Sequence, residues 1–177
     1  LHLFAAPGVT RAIHNLGGIG NVTVVPADGD AAAVLAFDTG PANCLLDEAA
    51  AATVGMPFDR DGRLAASGAV DGELLARLMA HPYLRLPPPK TTGREVFNLR
   101  ELLPEGLAAW SPADLLATLT AYTAASTAEA YRRWVLPGGL DEVLLAGGGA
   151  LNPTLIGQLR ERLPGVALRT FEDLGWA

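Results

Sequence analysis

The 177 residues fit one domain of ordinary size; half are hydrophobic and 18% are charged, a balance that supports a buried core and excludes wholesale disorder. A formal net charge of −6 and a pI near 5.0 argue against nonspecific binding to nucleic acid or to an anionic membrane. The lone cysteine, Cys44, excludes an internal disulfide; no apolar run approaches the roughly 20 residues that span a bilayer, no secretion leader is visible, and the sequence therefore predicts a cytoplasmic protein.

From Thr10 to Asp38 the pattern is strand-like and punctuated by glycine. RAIHN leads into Gly17-Gly18, NVTVVP alternates, and AAAVLAFD is a short apolar run, so three strands in an antiparallel meander are expected. CLLDEAAAATVG is rich in alanine and ends at Gly55, which suits a helix C-cap. MPFDRDGRLAASGAV reads as a loop, followed by a short helix over 71–79. The prolines of LPPPKTTGREVFN exclude regular helix there.

A long helix is expected from Ser111, with Pro112 at its first position and Asp114 three residues on, running to about Leu136. A helix as apolar as LLATLTAYTAASTAEAYRRWV also offers a surface for a homodimer. DEVLLAGGG then reads as a strand into a glycine turn, NPTLIGQLRERLPG as a helix opened by Asn-Pro, and VALRT as a strand. This order of strand, glycine turn and helix defines an α/β architecture. The sequence opens without a methionine and stops at FEDLGWA, and reads as a piece of a longer protein.

FDTGPANCLLDE, from Phe37 to Glu48, carries the ambiguous signal. An apolar residue before Asp-Thr-Gly is the pattern of an aspartic protease, but that chemistry needs two aspartates sharing a proton, and no second copy is present. Asp, Thr, Gly and Pro in a row are also ordinary turn residues. The third reading is a loop facing phosphate or sugar, as in actin-like sugar kinases, and neighbouring stretches favour it. NLGGIGN, over 15–21, places glycines where two strands meet, as a tight hairpin or as backbone N–H groups facing phosphate. AGGGALNP, over 146–153, lets a flat ligand approach, or simply turns a strand into a helix. LPPPKTTGRE, over 86–95, presents Lys90, Thr91, Thr92 and Arg94 on a stiff backbone, either to an anionic or sugar ligand or as a surface connector. His81 and Cys44 read as structural, and no His, Cys or carboxylate spacing suggests a bound metal beyond the Mg2+ that ATP would bring.

Taken in order, NLGGIGNVT, FDTGPANCLLD, RLAASGAVD, HPYLRLPPPKTTGREVFN and LLAGGGALNP resemble the blocks of the 1,6-anhydro-N-acetylmuramic acid kinases of bacterial cell-wall recycling. The resemblance covers nearly the whole chain but only the C-terminal half of the family pattern: its N-terminal GTSxDG loop and its final helix are missing, and Ala42 stands where the family usually has glycine. It implies an actin-like ATPase (ribonuclease H-like) lobe, a mixed sheet with an antiparallel meander flanked by helices, with 1–177 forming the C-terminal lobe of a two-lobed sugar kinase. It implies ATP with Mg2+ and a small amino sugar as ligands, Asp38 as the catalytic aspartate, and Asn15, Gly17 and Gly18 at the phosphates. By the same resemblance Gly147, Gly148 and Gly149 face the adenosine, Thr39, Gly40 and Pro41 shape the substrate side of the Asp38 loop, and Lys90, Thr92 and Arg94 lie near the sugar.

The implied reaction joins two events: water opens the anhydro ring at its anomeric carbon, and the freed O6 takes the γ-phosphoryl group. Asp38 would then be the base for that water, a role worth about 10²–10⁴-fold in rate. The competing expectations are a noncatalytic nucleotide- or sugar-binding lobe, inactive without its missing half, and a plain ATPase. With one wall of the cleft gone, the chain alone is expected to be poorly active.

Overall fold

In the computed structural model, which describes residues 4–175, the chain first lays down β1 (Arg11–Leu16), β2 (Ile19–Val25) and β3 (Leu35–Pro41). β1 pairs antiparallel with β2, and β2 with β3, which is the expected meander. Period-two alternation sends Ala12, Leu16, Val22, Val24 and Phe37 into the core. Two details differ from expectation. Ala31–Ala33 forms a 3-10 turn, because the Asp30 carboxylate accepts from the Ala32 amide at 2.9 Å. And β3 does not end at Asp38: it continues to Pro41, so the Asp-Thr-Gly-Pro stretch is strand rather than loop.

Helix α1 (Asn43–Val54) ends at Gly55, whose φ of 69° is the left-handed C-cap expected of glycine. No side chain caps its start. Instead the amides of Ala42 and Cys44 donate to the Gly18 carbonyl, both at 3.0 Å, and that of Asn43 to the Gly17 carbonyl at 2.8 Å. The β1–β2 turn is thereby fastened to the head of α1. The stretch expected as loop contains α2 (Arg63–Ser67), nucleated by Asp59, whose carboxylate accepts from the Leu64 and Ala65 amides at 3.0 and 2.9 Å. α3 (Gly72–Met79) is capped by Asp71. A 3-10 turn (Pro82–Arg85) then leads through the proline stretch, without regular structure, to the single turn α4 (Leu99–Leu102).

α5 (Pro112–Ala130) starts where the capping signals put it: the Asp114 amide donates to Ser111 Oγ at 3.1 Å, and that hydroxyl donates back to the Asp114 carboxylate at 2.7 Å. It ends earlier than expected, in a π turn (Tyr131–Val135) and a 3-10 turn (Leu136–Gly138). β4 (Glu142–Ala146), α6 (Pro153–Arg162) and β5 (Ala167–Thr170) complete the chain. β4 runs parallel to β1 and β5 parallel to β4, giving a mixed sheet in the order β3-β2-β1-β4-β5.

α5 serves two cores. Its first half packs Leu115, Leu116, Leu119 and Tyr122 against Leu45 and Ala49 of α1 and Leu74 and Leu78 of α3. Its second half presents small residues, Ala124 and Ala128, to Ala12, Leu16, Phe37 and Val143 of the sheet. Full burial of one leucine contributes about 1.5–3 kcal/mol, so this helix holds the two halves together. Its apolarity, offered by the sequence as a dimer surface, is accounted for inside its own chain; that basis for a homodimer is withdrawn. Among the described residues, no helix is long and apolar enough to cross a membrane.

Candidate active site

Sheet register places four residues in one line. Asp38 of β3 stands opposite Asn21 of β2, Asn21 opposite Asn15 of β1, and Asn15 beside Ala146 of β4. With neighbouring strands about 4.8 Å apart, the line is roughly 14 Å long. Because Ala12, His14 and Leu16 face the core, Asn15 faces the opposite side of β1 and is exposed. The pairing slips between Gly20 and Asn21: Gly40 stands opposite Gly20 and Asp38 opposite Asn21, so Thr39 is the extra residue of a bulge. Alternation from the buried Phe37 turns Thr39 inward, where it is buried, while Asp38 keeps the open face, and the bulge lets Gly40 follow Thr39 opposite Gly20.

The proline stretch straps Asp38 in place. Thr91 Oγ1 donates to Asp38 Oδ2 at 2.8 Å and the Thr92 amide to the same oxygen at 2.9 Å. The Asp38 amide donates to the Lys90 carbonyl at 3.0 Å, and the Tyr83 hydroxyl donates to the Asp38 carbonyl at 2.8 Å. Burial, and then the Asp38 charge, push the Tyr83 phenol well above its ordinary pKa, so it remains a neutral donor. The two hydrogen bonds to the carboxylate are of the strong kind and fix its rotamer, and the two at the Asp38 amide and carbonyl fix the backbone. Beside it lies a cleft of about 480 Å³ lined by Asn21, Thr23, Ala36, Pro89, Lys90 and Thr91.

The three strap residues expected near the sugar go to three different places. Thr92 reaches Asp38 through its backbone, while its hydroxyl is buried with no hydrogen-bond partner among the described residues. The Lys90 ammonium donates to the Tyr83 carbonyl at 3.2 Å and sits 4.6 Å from the centre of the Tyr83 ring. Burial, with a smaller push from Arg133, lowers the Lys90 pKa, and Asp38 opposes the shift. Arg94 extends over the β1–β2 turn: a Cβ on Gly18 would fall 2.9 Å from its Nη2. It also holds down the pKa of Asp47, which burial raises.

The two glycine turns meet at the ends of β1 and β4. Neither Gly17 nor Gly18 has a left-handed φ, so close approach rather than unusual backbone accounts for them. Gly147 is different: its φ is 78°, and a Cβ there would fall 2.4 Å from Asn15 Oδ1 and 2.9 Å from the Leu16 carbonyl oxygen. A Cβ on Gly149 would meet Leu16 Cβ at 2.7 Å, and Asn43 Nδ2 donates to the Leu16 carbonyl at 2.9 Å. A cavity of about 410 Å³ opens here, lined by Asn43, Asp47, Phe58, Asp59, Arg60, Asp61, Thr120, Gly148, Leu151 and Asn152. It lies at the carboxyl end of the parallel strands, the usual place for a ligand in an α/β sheet, and its volume suits a nucleoside. The glycine cradle and the apolar rim, with Phe58 47% and Leu151 70% exposed, fit a flat base. Among the described residues, no group of three His, Cys, Asp or Glu could hold a metal.

Thr39, Gly40 and Pro41, expected on the substrate side, are all buried; the Thr39 hydroxyl is committed to the Gly20 carbonyl at 3.1 Å. They shape the strand that carries Asp38 and offer no side chain to a substrate here. Cys44 is buried, its Sγ is 3.7 Å from the Phe97 carbonyl, and burial raises its pKa to about 11, consistent with a structural thiol. His81 caps the 3-10 turn, with its Nδ1 3.3 Å from the Tyr83 amide. Sequence reading missed Asn21, Tyr83, Phe58 and Thr120, and offered Thr91 to a ligand or a surface connector rather than to Asp38. Alternation in IGNVTVV was signal enough to put Asn21 on the open face with Asp38; nothing in the sequence pairs Tyr83 or Phe58 with their sites.

The family described as anhydro-N-acetylmuramic acid kinase matches residues 1–177. An anhydro-N-acetylmuramic acid kinase of Xanthomonas campestris pv. campestris is 50% identical over 171 residues, which cover 96% of this chain and 44% of that protein. One from Caldanaerobacter subterraneus subsp. tengcongensis is 42% identical over 98% of this chain and 46% of its own length. One from Bacillus cereus is 40% identical over 99% and 47%. The chain thus spans about half the length of the curated relatives it matches. Among solved structures, component A of the (R)-2-hydroxyglutaryl-CoA dehydratase of Acidaminococcus fermentans superimposes with a TM-score of 0.51 over 99% of this chain and 60% of that chain. At 19% identity the likeness is one of fold alone, that of an actin-like ATPase lobe.

Proposed function

The chain belongs to the anhydro-N-acetylmuramic acid kinase family, and on that premise we propose that it supplies the catalytic aspartate and nucleotide cradle of a cytoplasmic, ATP-dependent kinase of cell-wall recycling. The reaction opens 1,6-anhydro-N-acetylmuramic acid with water and phosphorylates O6, giving N-acetylmuramic acid 6-phosphate. The observation that carries this reading is Asp38 itself, a carboxylate clamped on an open sheet face, in register with the residue that precedes the Gly147 turn.

Asp38 takes a proton from water as the water oxygen bonds to the anomeric carbon and the C1–O6 bond breaks. An inverting glycosidase activates water in the same way but needs a second carboxylic acid for the leaving oxygen. Here the freed O6 takes the γ-phosphoryl group of ATP as that group's bond to the β-phosphate oxygen breaks and ADP leaves, and one carboxylate suffices. Gly147, Gly148 and Gly149 with the 410 Å³ cavity hold the nucleoside, and Asn15, Gly17 and Gly18 lie toward the phosphates. Thr91 and the Thr92 amide hold the Asp38 carboxylate beside the sugar cleft, Lys90 stiffens the strap that bounds it, and Arg94 lies over the β1–β2 turn.

Because the chain spans about half of its curated relatives, low turnover is expected from it alone. The test is ³¹P NMR of the chain with Mg-ATP and the anhydrosugar, alone and mixed with the part of the Xanthomonas campestris relative that it does not cover. A sugar phosphomonoester formed in either sample, and lost with Asp38→Asn, supports the proposal. ADP formation that ignores the sugar would replace the kinase with a plain ATPase.

A further inference from the structure

Behind Asp38, on the core face of the sheet, lies a buried polar chain that the proposed chemistry does not use. His14 is 0% exposed in the middle of β1. Its Nδ1 is 3.1 Å from the Tyr131 hydroxyl and its Nε2 is 3.3 Å from Thr39 Oγ1. The Thr39 hydroxyl donates to the Gly20 carbonyl at 3.1 Å. The rings of His14 and Tyr131 are stacked, 5.6 Å apart and 3° from parallel.

Proton counting gives this chain one direction. The Thr39 hydroxyl has a single proton, used on Gly20, so toward His14 it accepts, and Nε2 must carry hydrogen. A neutral imidazole then has a bare Nδ1, which accepts from Tyr131. Burial holds the imidazole neutral, and the His14 nitrogens and the Thr39 and Tyr131 hydroxyls each have a partner. The relay ties three elements together: the π turn after α5 through Tyr131, the centre of β1 through His14, and the bulge of β3 through Thr39. Gly20 makes room for it, since a Cβ there would fall 2.7 Å from Thr39 Oγ1 and 3.2 Å from His14 Nε2.

We infer that His14 and Tyr131 are positioning residues for Asp38, acting through Thr39: the relay Tyr131 → His14 → Thr39 → Gly20 pins the core-facing Thr39 at the bulge and so holds its neighbour Asp38 on the open face. The strap residues hold the carboxylate from the cleft side, and the relay holds the same backbone from the core side. The inference rests on the proposed role of Asp38 for its kinetic consequence, but not for its structural content.

The test is ¹⁵N NMR of the His14 imidazole in the full chain, with amide exchange at Asp38 and, where turnover is measurable, a KM-against-kcat split. Wild type should show the Nε2-protonated neutral tautomer. Thr39→Val, which removes the hydroxyl at nearly constant shape, should shift the imidazole signals, lower Asp38 amide protection about tenfold and cut kcat about tenfold at little-changed KM. Thr39→Ser, which keeps the hydroxyl, should restore all three, and Tyr131→Phe should resemble Thr39→Val. An Nδ1-protonated tautomer in wild type overturns the relay, and that result stands even if a variant fails to fold. Thr39→Ser behaving as Thr39→Val would reduce Thr39 to packing. If wild type shows no turnover even with the part of the Xanthomonas campestris relative that it does not cover, the kinase reading falls while the imidazole and amide data still decide the relay.

Discussion

Thr91 Oγ1 lies 2.8 Å from Asp38 Oδ2 across 53 residues of sequence, so the proline-rich strap and the strand form one site rather than two neighbours. The bond holds the carboxylate rotamer, and the Thr92 amide reinforces it on the same oxygen. Thr91→Val should lower turnover about tenfold, the scale of one hydrogen bond to a charged group, while Thr91→Ser stays close to wild type. Initial rates of sugar phosphate formation check this; equal rates for both variants would leave Thr91 without a part in the site.

Gly147 should tolerate no side chain. At φ of 78° an alanine costs about 1–2 kcal/mol in backbone strain alone, and its Cβ would press on Asn15 Oδ1 and Leu16. Gly147→Ala should therefore lower the thermal midpoint and weaken ATP binding together, whereas Gly138→Ala, whose Cβ meets nothing within 4 Å, should do neither. Scanning calorimetry with and without Mg-ATP reads both.

Phe58 separates stability from binding. It is 47% exposed, so Phe58→Ala should change stability by less than about 1 kcal/mol. If the 410 Å³ cavity takes the nucleobase, losing one stacking face should weaken ATP about tenfold, as base stacking is worth roughly 1–3 kcal/mol. Isothermal titration with ATP, against a triphosphate without a base, distinguishes the base from the phosphates.

His14 sets a pH dependence of stability. Burial lowers its pKa from 6.5 to about 3, so the folded imidazole stays neutral where the unfolded one takes a proton. The contribution is complete above 6.5 and declines as pH falls toward 3, with a slope of at most about 1.4 kcal/mol per pH unit. Its polar contacts are hydroxyls, of Tyr131 and Thr39. Asp71, Asp114 and Asp173, whose carboxyls are held below 3.8 chiefly by backbone hydrogen bonds, lose their contributions at lower pH, and half-buried Asp47, whose pKa desolvation raises, acts in the opposite sense. Urea midpoints between pH 7.5 and 5 should fall in wild type and fall less steeply in His14→Gln, where His81, whose pKa burial also lowers, keeps part of the slope.

Local chemistry was legible in the sequence where it is decided locally. Alternation placed the three meander strands, Ser111-Pro112 with Asp114 placed the start of α5, and Gly55 placed the end of α1. Asp-Thr-Gly-Pro looked like a loop because its residues favour turns, yet pairing with β2 carries the strand through it, with Thr39 as the bulge. α2 was hidden because its cap, Asp59, sits outside the usual N-cap position and reaches Leu64 and Ala65 from four residues before the helix. The clamp on Asp38 joins residues 45 to 54 positions apart, and no local pattern encodes such a distance. Lys90 read as a cation offered to a ligand or on a surface connector; only the fold shows its ammonium spent on Tyr83.

The role of Asp38 is tested most directly by oxygen tracing. The chain, with the uncovered part of the Xanthomonas campestris relative, is incubated with Mg-ATP and 1,6-anhydro-N-acetylmuramic acid in ¹⁸O-water, beside Asp38→Asn, and products are read by mass spectrometry. The expected product is a 6-phosphorylated sugar carrying ¹⁸O at C1, lost in the variant. A 6-phosphorylated product formed equally well by Asp38→Asn would contradict the assignment of Asp38 as the base for water.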